Sequence, residues 1–191
     1  MSLAPESSRP RLLLRIALLV VVGIVAVLAA KYYIQRPLTF EGNGVSLEYP
    51  RTWEKVTGSF TPPAGINLVW AQGFALDDDN GAGVAAASLG AAVPEQFLSA
   101  AVREQLQPTL EQAVSSAGGT IAGPQSIEVD GRDALIYNAS NLTLTAAIVD
   151  VSITVIAEGS FVYFIACQST PERSTEVDEG CETIRTSFSI D

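Results

Sequence analysis

After eleven mostly polar residues the chain carries one long apolar run and then changes to short alternating patterns. LLLRIALLVVVGIVAVLAAKYYI, Leu12 to Ile34, is interrupted only by Arg15 and Lys31, and Ile16 to Ala30 carries no charge. Further on, VSLEY (Val45 to Tyr49) alternates apolar and polar residues and stops at Pro50, which predicts a strand with one buried face. Arg51 to Gly65, with Trp53, Phe60 and Pro62-Pro63, predicts a loop or short turn. INLVWAQGFAL (Ile66 to Leu76) and GVAAASLGAA (Gly83 to Ala92) predict two strands joined through DDDNG.

The rhythm then shifts to a helical one in PEQFLSAAVREQLQPTLEQAVSSAGG. Phe97, Leu98, Ala101, Leu106, Leu110, Ala113, Val114 and Ala117 fall largely on one stripe. Pro94 and Glu95 suit its first turn and Gly118-Gly119 its end. Pro108 inside it predicts a kink or a split into two helices. The rest reads mostly as strand. SIEVDGRDALIYNAS is a hairpin turning at Asp130-Gly131, and AAIVDVSITVIAEGSFVYFIACQS a second turning near Glu158-Gly159. In the second, Val149, Val151, Ile153 and Val155 alternate with Asp150, Ser152 and Thr154, so one face is polar. FVYFIA (Phe161 to Ala166) is apolar throughout, as a central strand covered on both faces would be. After Pro171 a helical pattern runs through Val177 and Ile184, and Phe188 then starts a short final segment, SFSI.

These elements describe an α+β domain: a largely antiparallel sheet flanked by helices, preceded by one transmembrane helix. The expected organisation is a basic cytoplasmic tail at 1–11, a membrane-spanning signal-anchor at 12–34, a linker at 35–44 and an extracytoplasmic domain at 45–191. At ~1.5 Å per residue, Leu12 to Ile34 spans roughly 34 Å, enough for the hydrocarbon layer. Arg15 and Lys31 can snorkel at its ends, and Tyr32 and Tyr33 suit the interface. Arg9, Arg11 and Arg15 precede the apolar run, while Lys31 and Arg36 follow it, a bias that favours a cytoplasmic N-terminus. A cleavable secretory signal, with Ala26, Ala29 and Ala30 as small residues, is the competing expectation. Both readings export the domain.

Charge sharpens this picture. Residues 1–36 carry five basic groups and one acid, and residues 37–191 carry six basic groups and twenty acids, within a net −10. An acidic body lacks the clustered Lys and Arg of a nucleic-acid binder, so no nucleic-acid partner is expected. Export makes a disulfide between the chain's two cysteines, Cys167 and Cys181, the expected pairing. Closing that loop is worth ~3 kcal/mol in the chain-entropy model. Two buried free thiols are the alternative. The separation is not the C-x-x-C spacing of redox pairs.

Candidate chemistry is sparse. The chain has no histidine, which removes Ser-His-Asp and Cys-His catalysis and the usual histidine-containing zinc sites. No G-x-S-x-G, P-loop or G-x-G-x-x-G motif occurs. Asp77, Asp78 and Asp79, followed by Asn80-Gly81, invite a calcium reading, but the EF-hand register fails at Leu76 and Ala87. An Asp/Asn/Gly β-turn needs no metal. No cofactor, metal or catalytic residue is assigned. Trp70, inside an apolar strand pattern, is expected in the core and Trp53, just past Tyr49-Pro50, capping one end of the sheet, neither stacking on a ligand.

VSLEYPRTWEKV (Val45 to Val56), the helix before Gly118-Gly119, VDGRDALIY, GSFVYFIACQS and the closing IRTSFSI carry a resemblance. From Phe40 to Asp191 the chain resembles the PsbP-like domain family, which includes extrinsic photosystem II, DcrB-type and LpqN-type proteins. The resemblance implies an antiparallel sheet sandwiched by helices, no shared catalytic residues, and an accessory or docking role. The expectation is therefore a non-enzymatic, membrane-anchored extracytoplasmic domain making protein–protein contact at the cell envelope, its partner unnamed by the sequence. A carrier of a small apolar or lipidic ligand, held between sheet and helices in room left by the alanine-rich strand and helix, is the alternative. An envelope hydrolase ranks third.

Overall fold

A computed structural model describes residues 36–57, 68–89, 98–144 and 147–191. The chain divides into two units, Met1–Pro37 and Leu38–Asp191, and every element below belongs to the second. The expected span at 12–34 lies outside the described residues. Among the described residues no helix is long and apolar enough to cross a membrane.

Among the described residues, two antiparallel sheets and two α-helices build the domain. The smaller sheet has the order β1-β2-β10, from β1 (Leu38–Gly42), β2 (Val45–Tyr49) and β10 (Ser189–Ile190). The larger has seven strands: β3 (Glu54–Val56), β4 (Leu68–Ala75), β5 (Gly81–Ser88), β6 (Thr120–Val129), β7 (Arg132–Leu144), β8 (Ala147–Glu158) and β9 (Phe161–Ser169). Its order is β3-β4-β5-β9-β8-β7-β6. Helix α1 is Ala100–Ser116. A 3-10 turn, Pro171–Arg173, leads into helix α2, Ser174–Ser187. Strand β9, which contains the apolar run Phe161–Ala166, is the central strand, as that run predicts.

Two stretches expected to be irregular are strands. Residues 38–42, placed in a linker at 35–44, form β1 and pair with β2. Asn43 (φ 57) and Gly44 (φ 74) supply the left-handed pair that a two-residue hairpin turn needs. Phe40, whose ring meets Phe74 edge-on at 5.8 Å, packs this hairpin onto the core, so the domain starts at Leu38 rather than Val45. Within the expected loop, Glu54–Val56 forms β3 by pairing with the end of β4. Three residues are too few for an alternating signal, and only the neighbour's free edge makes them a strand. The hairpin at Asp130-Gly131 stands as expected, with both residues at positive φ. It is tied to the C-terminus by the Ile190 amide, which donates to Asp130 Oδ2 at 3.1 Å.

Pro108 neither ends α1 nor divides it; one helix runs through it. The proline and Glu104, whose carbonyl loses its donor, are both exposed, so water can serve that oxygen. Pro94, Glu95 and Phe97 of the expected stripe lie outside the described residues.

The main core lies between one face of the large sheet and a layer formed by β2 and α2. Phe74, Val84, Ala86, Tyr163, Ile165 and Ile156 face Val45, Leu47, Tyr49, Trp53, Val177 and Ile184. Helix α2 buries Val177, Gly180, Cys181 and Ile184, a spacing that makes one stripe. Cys167 at the end of β9 is disulfide-bonded to Cys181, with Cα atoms 6.3 Å apart, and this fastens α2 to the sheet. The two tryptophans exchange their expected places: Trp53, expected to cap a sheet end, is 2% exposed within this core, whereas Trp70, expected inside, is only partly buried against it.

Candidate functional site

The opposite face of the large sheet is only partly covered. The C-terminal end of α1 lies on it, where Val114 and Ala117 pack with Ile121, Ala139, Leu142 and Val149. Beside this contact the sheet and α1 enclose a cleft of about 930 Å³. That volume falls within the roughly 300–1,000 Å³ usual for small-molecule sites.

Strand register explains the space. Three rows of paired residues cross the sheet on the cleft side. Leu135, Val155, Phe164, Ala85 and Ala71 make the first row. The second is Tyr137, Ile153, Ala166, Gly83 and Gly73. Ala139, Val151, Gln168, Gly81 and Ala75 make the third. Side chains are mostly large over β7, β8 and β9, apart from Ala139 and Ala166, and shrink to glycine and alanine over β5 and β4. In the middle row Ala166, Gly83 and Gly73 leave a lane floored by backbone. The alternation of β5, whose odd positions are glycine and alanine, therefore produces a hollow and not merely a weak strand.

The polarity of β8 is inverted relative to a simple surface strand. Thr154, on its polar face, is 1% exposed against the core, whereas Ile153, on its apolar face, is 36% exposed in the cleft. An apolar residue left open while a hydroxyl is buried marks a surface adapted to cover by something apolar.

Polar groups stand at the cleft's margins. Arg103 of α1 and Tyr137 of β7 line it on one side, and the turn Asp77–Asn80 on another. Burial pushes the Tyr137 phenol above its ordinary 10, while the nearby Arg103 charge acts in the opposite direction. The acidic turn is occupied with its own geometry. Asp77 Oδ1 accepts from the Asp79 amide at 3.1 Å and from Asn80 Nδ2 at 2.7 Å, and Asp77 Oδ2 lies 3.8 Å from Arg173 Nε. Asn80, buried, also accepts from the Thr170 amide at 2.7 Å, which pins the turn to the β9–α2 connection. The Asn80 hydrogen bond, foremost, lowers the Asp77 carboxyl below its usual value; burial opposes this, and the Asp79 amide and Arg173 add to it. Among the described residues no three His, Cys, Asp or Glu side chains stand together in a group able to hold a metal. Asp77, Asp78 and Asp79 thus make a turn whose first carboxylate is used internally.

Sequence reasoning marked the alanine-rich strand as leaving room for a ligand, but it did not single out Arg103, Tyr137 or Ile153. Register and the placement of α1 bring these three together, and no local motif announces it.

No protein-family model matches the chain, and no curated protein matches its sequence. Among solved structures the chain is similar to cyanobacterial PsbP (CyanoP) from Synechocystis sp. PCC 6803, at 14% identity and a TM-score of 0.56, over 83% of this chain and 94% of that one. It is also similar to a protein from Bacteroides thetaiotaomicron VPI-5482, at 12% identity and a TM-score of 0.50, over 83% of this chain and 49% of that one. LpqN of Mycobacterium tuberculosis, described as involved in cell envelope biogenesis, aligns at 12% identity with a TM-score of 0.48, over 81% of this chain and 89% of that one. At such identities the likeness concerns the fold alone, and the unit Leu38–Asp191 has the PsbP-like fold.

Proposed function

We propose that this chain is a single-pass membrane protein, its N-terminus cytoplasmic, whose extracytoplasmic domain holds an apolar ligand in the cleft between the large sheet and α1. The observation that carries the binding role is the cleft itself: an apolar sheet face, open at Ile153, over a lane emptied of side chains at Ala166, Gly83 and Gly73. The apolar run at 12–34 supports anchoring, and the Cys167–Cys181 disulfide is in keeping with an oxidising compartment. The role is one of binding, and no reaction is assigned.

A second reading, docking of a protein partner at the envelope, is favoured by exposed apolar residues where β7 meets β8. Ile148 is 55% exposed, and Leu144, which lines the cleft, is also open. A partner seated there would lie beside the cleft and could deliver or receive its contents.

Native mass spectrometry of the full-length chain released from nanodiscs tests the binding role. A retained apolar molecule in one-to-one ratio is expected, and Ala166→Phe, which fills the lane, should eliminate it. Absence of any such molecule from the unsubstituted chain, or its persistence in the variant, would contradict the proposal.

A further inference from the structure

The cleft is apolar along its floor but charged at its ends. Arg103 Nε is shut off from solvent and donates no hydrogen bond, and none of the ion pairs among the described residues includes this arginine. Its neighbour Tyr137 lies on β7, while the acidic turn Asp77–Asp79 connects β4 to β5 on the far side. Cation and carboxylates therefore stand at opposite sides, with Ile153, Ala166 and Gly83 between them. A guanidinium donor withdrawn from water without an acceptor raises the free energy of the empty domain, and an anionic acceptor would remove that cost. At β9 the lane of small residues is one row wide, because Ala166 stands between Phe164 and Gln168, while over β5 and β4 all three rows are glycine or alanine. That constriction has room for one chain. From Tyr137 on β7 to Gly83 on β5 the path crosses three strand intervals, roughly 14 Å at ~4.8 Å each.

Resting on the reading that the cleft binds an apolar ligand, we infer that the occupant is a single-chain amphiphile with an anionic head group. The head pairs with Arg103 beside the Tyr137 hydroxyl. The tail lies across the sheet over Ile153, Ala166 and Gly83, and stops short of the acidic turn, which excludes a second anion.

Photo-crosslinking of the full-length chain in phosphatidylcholine nanodiscs tests this, with diazirine-bearing palmitate and diazirine-bearing palmityl alcohol as probes and cross-links mapped by mass spectrometry. Palmitate should label the peptides of β5, β9 and α1 at least about tenfold more than the alcohol, the effect of one charge-assisted hydrogen bond. Arg103→Gln should abolish that preference, bringing labelling by the acid down to the level of the alcohol, with a far-UV circular dichroism spectrum and thermal midpoint like those of the unsubstituted chain to show that the variant is folded. Arg103→Lys, which keeps the charge, should retain most of the preference. Equal labelling by acid and alcohol overturns the anionic head but leaves the apolar site standing. A preference that survives Arg103→Gln overturns the assignment of Arg103. Failure of both probes to label the cleft overturns the binding role itself.

Discussion

Gly180 tests the packing that holds α2 to the domain. It lies inside a helix, where Gly→Ala ordinarily stabilises by about 1 kcal/mol, because alanine restricts the unfolded backbone and gives up nothing in the helix. Here a methyl would stand 2.7 Å from Trp53 Cη2 and 3.0 Å from Pro50 Cγ, with Trp53 Cζ2 nearer still. The indole cannot swing clear, since it is buried in the main core just after the Tyr49-Pro50 corner. Overpacking of this kind costs ~1–3 kcal/mol and here must also cancel the propensity gain. Gly180→Ala should therefore lower stability by a net of up to ~2 kcal/mol, or as much as about 8 °C in Tm for a chain of this size. Urea unfolding followed by far-UV circular dichroism measures it. In a Trp53→Leu background the methyl has space. There Gly180→Ala should be neutral or stabilising by up to ~1 kcal/mol, although Trp53→Leu is itself costly. The double-mutant cycle should thus show a coupling above ~1 kcal/mol. If Gly180→Ala stabilises the unsubstituted protein, or if its effect is the same in both backgrounds, the close Trp53–Gly180 contact does not control how α2 seats.

Removing the disulfide with a Cys167→Ser/Cys181→Ser pair, or with reductant, should cost ~3 kcal/mol, seen as a drop of roughly 6–12 °C in thermal unfolding. The Asp77 carboxyl is held below its unfolded value, so its contribution to stability is present above about pH 4 and is lost as pH falls through the lower folded value. Asp77→Asn should accordingly flatten the acid limb of a stability–pH curve without altering its slope near neutrality. Labelling of intact cells with a membrane-impermeant amine reagent should reach Lys55 and spare the N-terminal amine. Protection of Lys55 alongside reaction of that amine would refute the proposed orientation.

Most of the strands and both helices were legible because their signals are local. Val45, Leu47 and Tyr49 alternate cleanly, Asp130-Gly131 marks its turn by backbone preference, and Val177 to Ile184 keeps one helical stripe. Pairing partners were not legible in the same way. Glu54–Val56 becomes a strand only because β4 offers an edge, and Leu38–Gly42 because β2 does. Likewise, the alternation within β8 shows two unlike faces, but which face meets the core depends on what packs against it. Thr154 is buried and Ile153 open for that reason alone.

Composition and periodicity by themselves determined that an α+β antiparallel domain follows an apolar leader and that histidine chemistry is absent. They also left two cysteines able to pair, because each of these facts depends on residue type or on neighbours a few positions away. The Cys167–Cys181 bridge was expected from the sequence and is present, whereas the tertiary structure alone decided that Trp53 rests on Gly180 and that Arg103 comes to the cleft near Tyr137. Those contacts join residues distant along the chain, and a cleft is a property of register across five strands, Tyr137 to Gly73, that no single segment encodes.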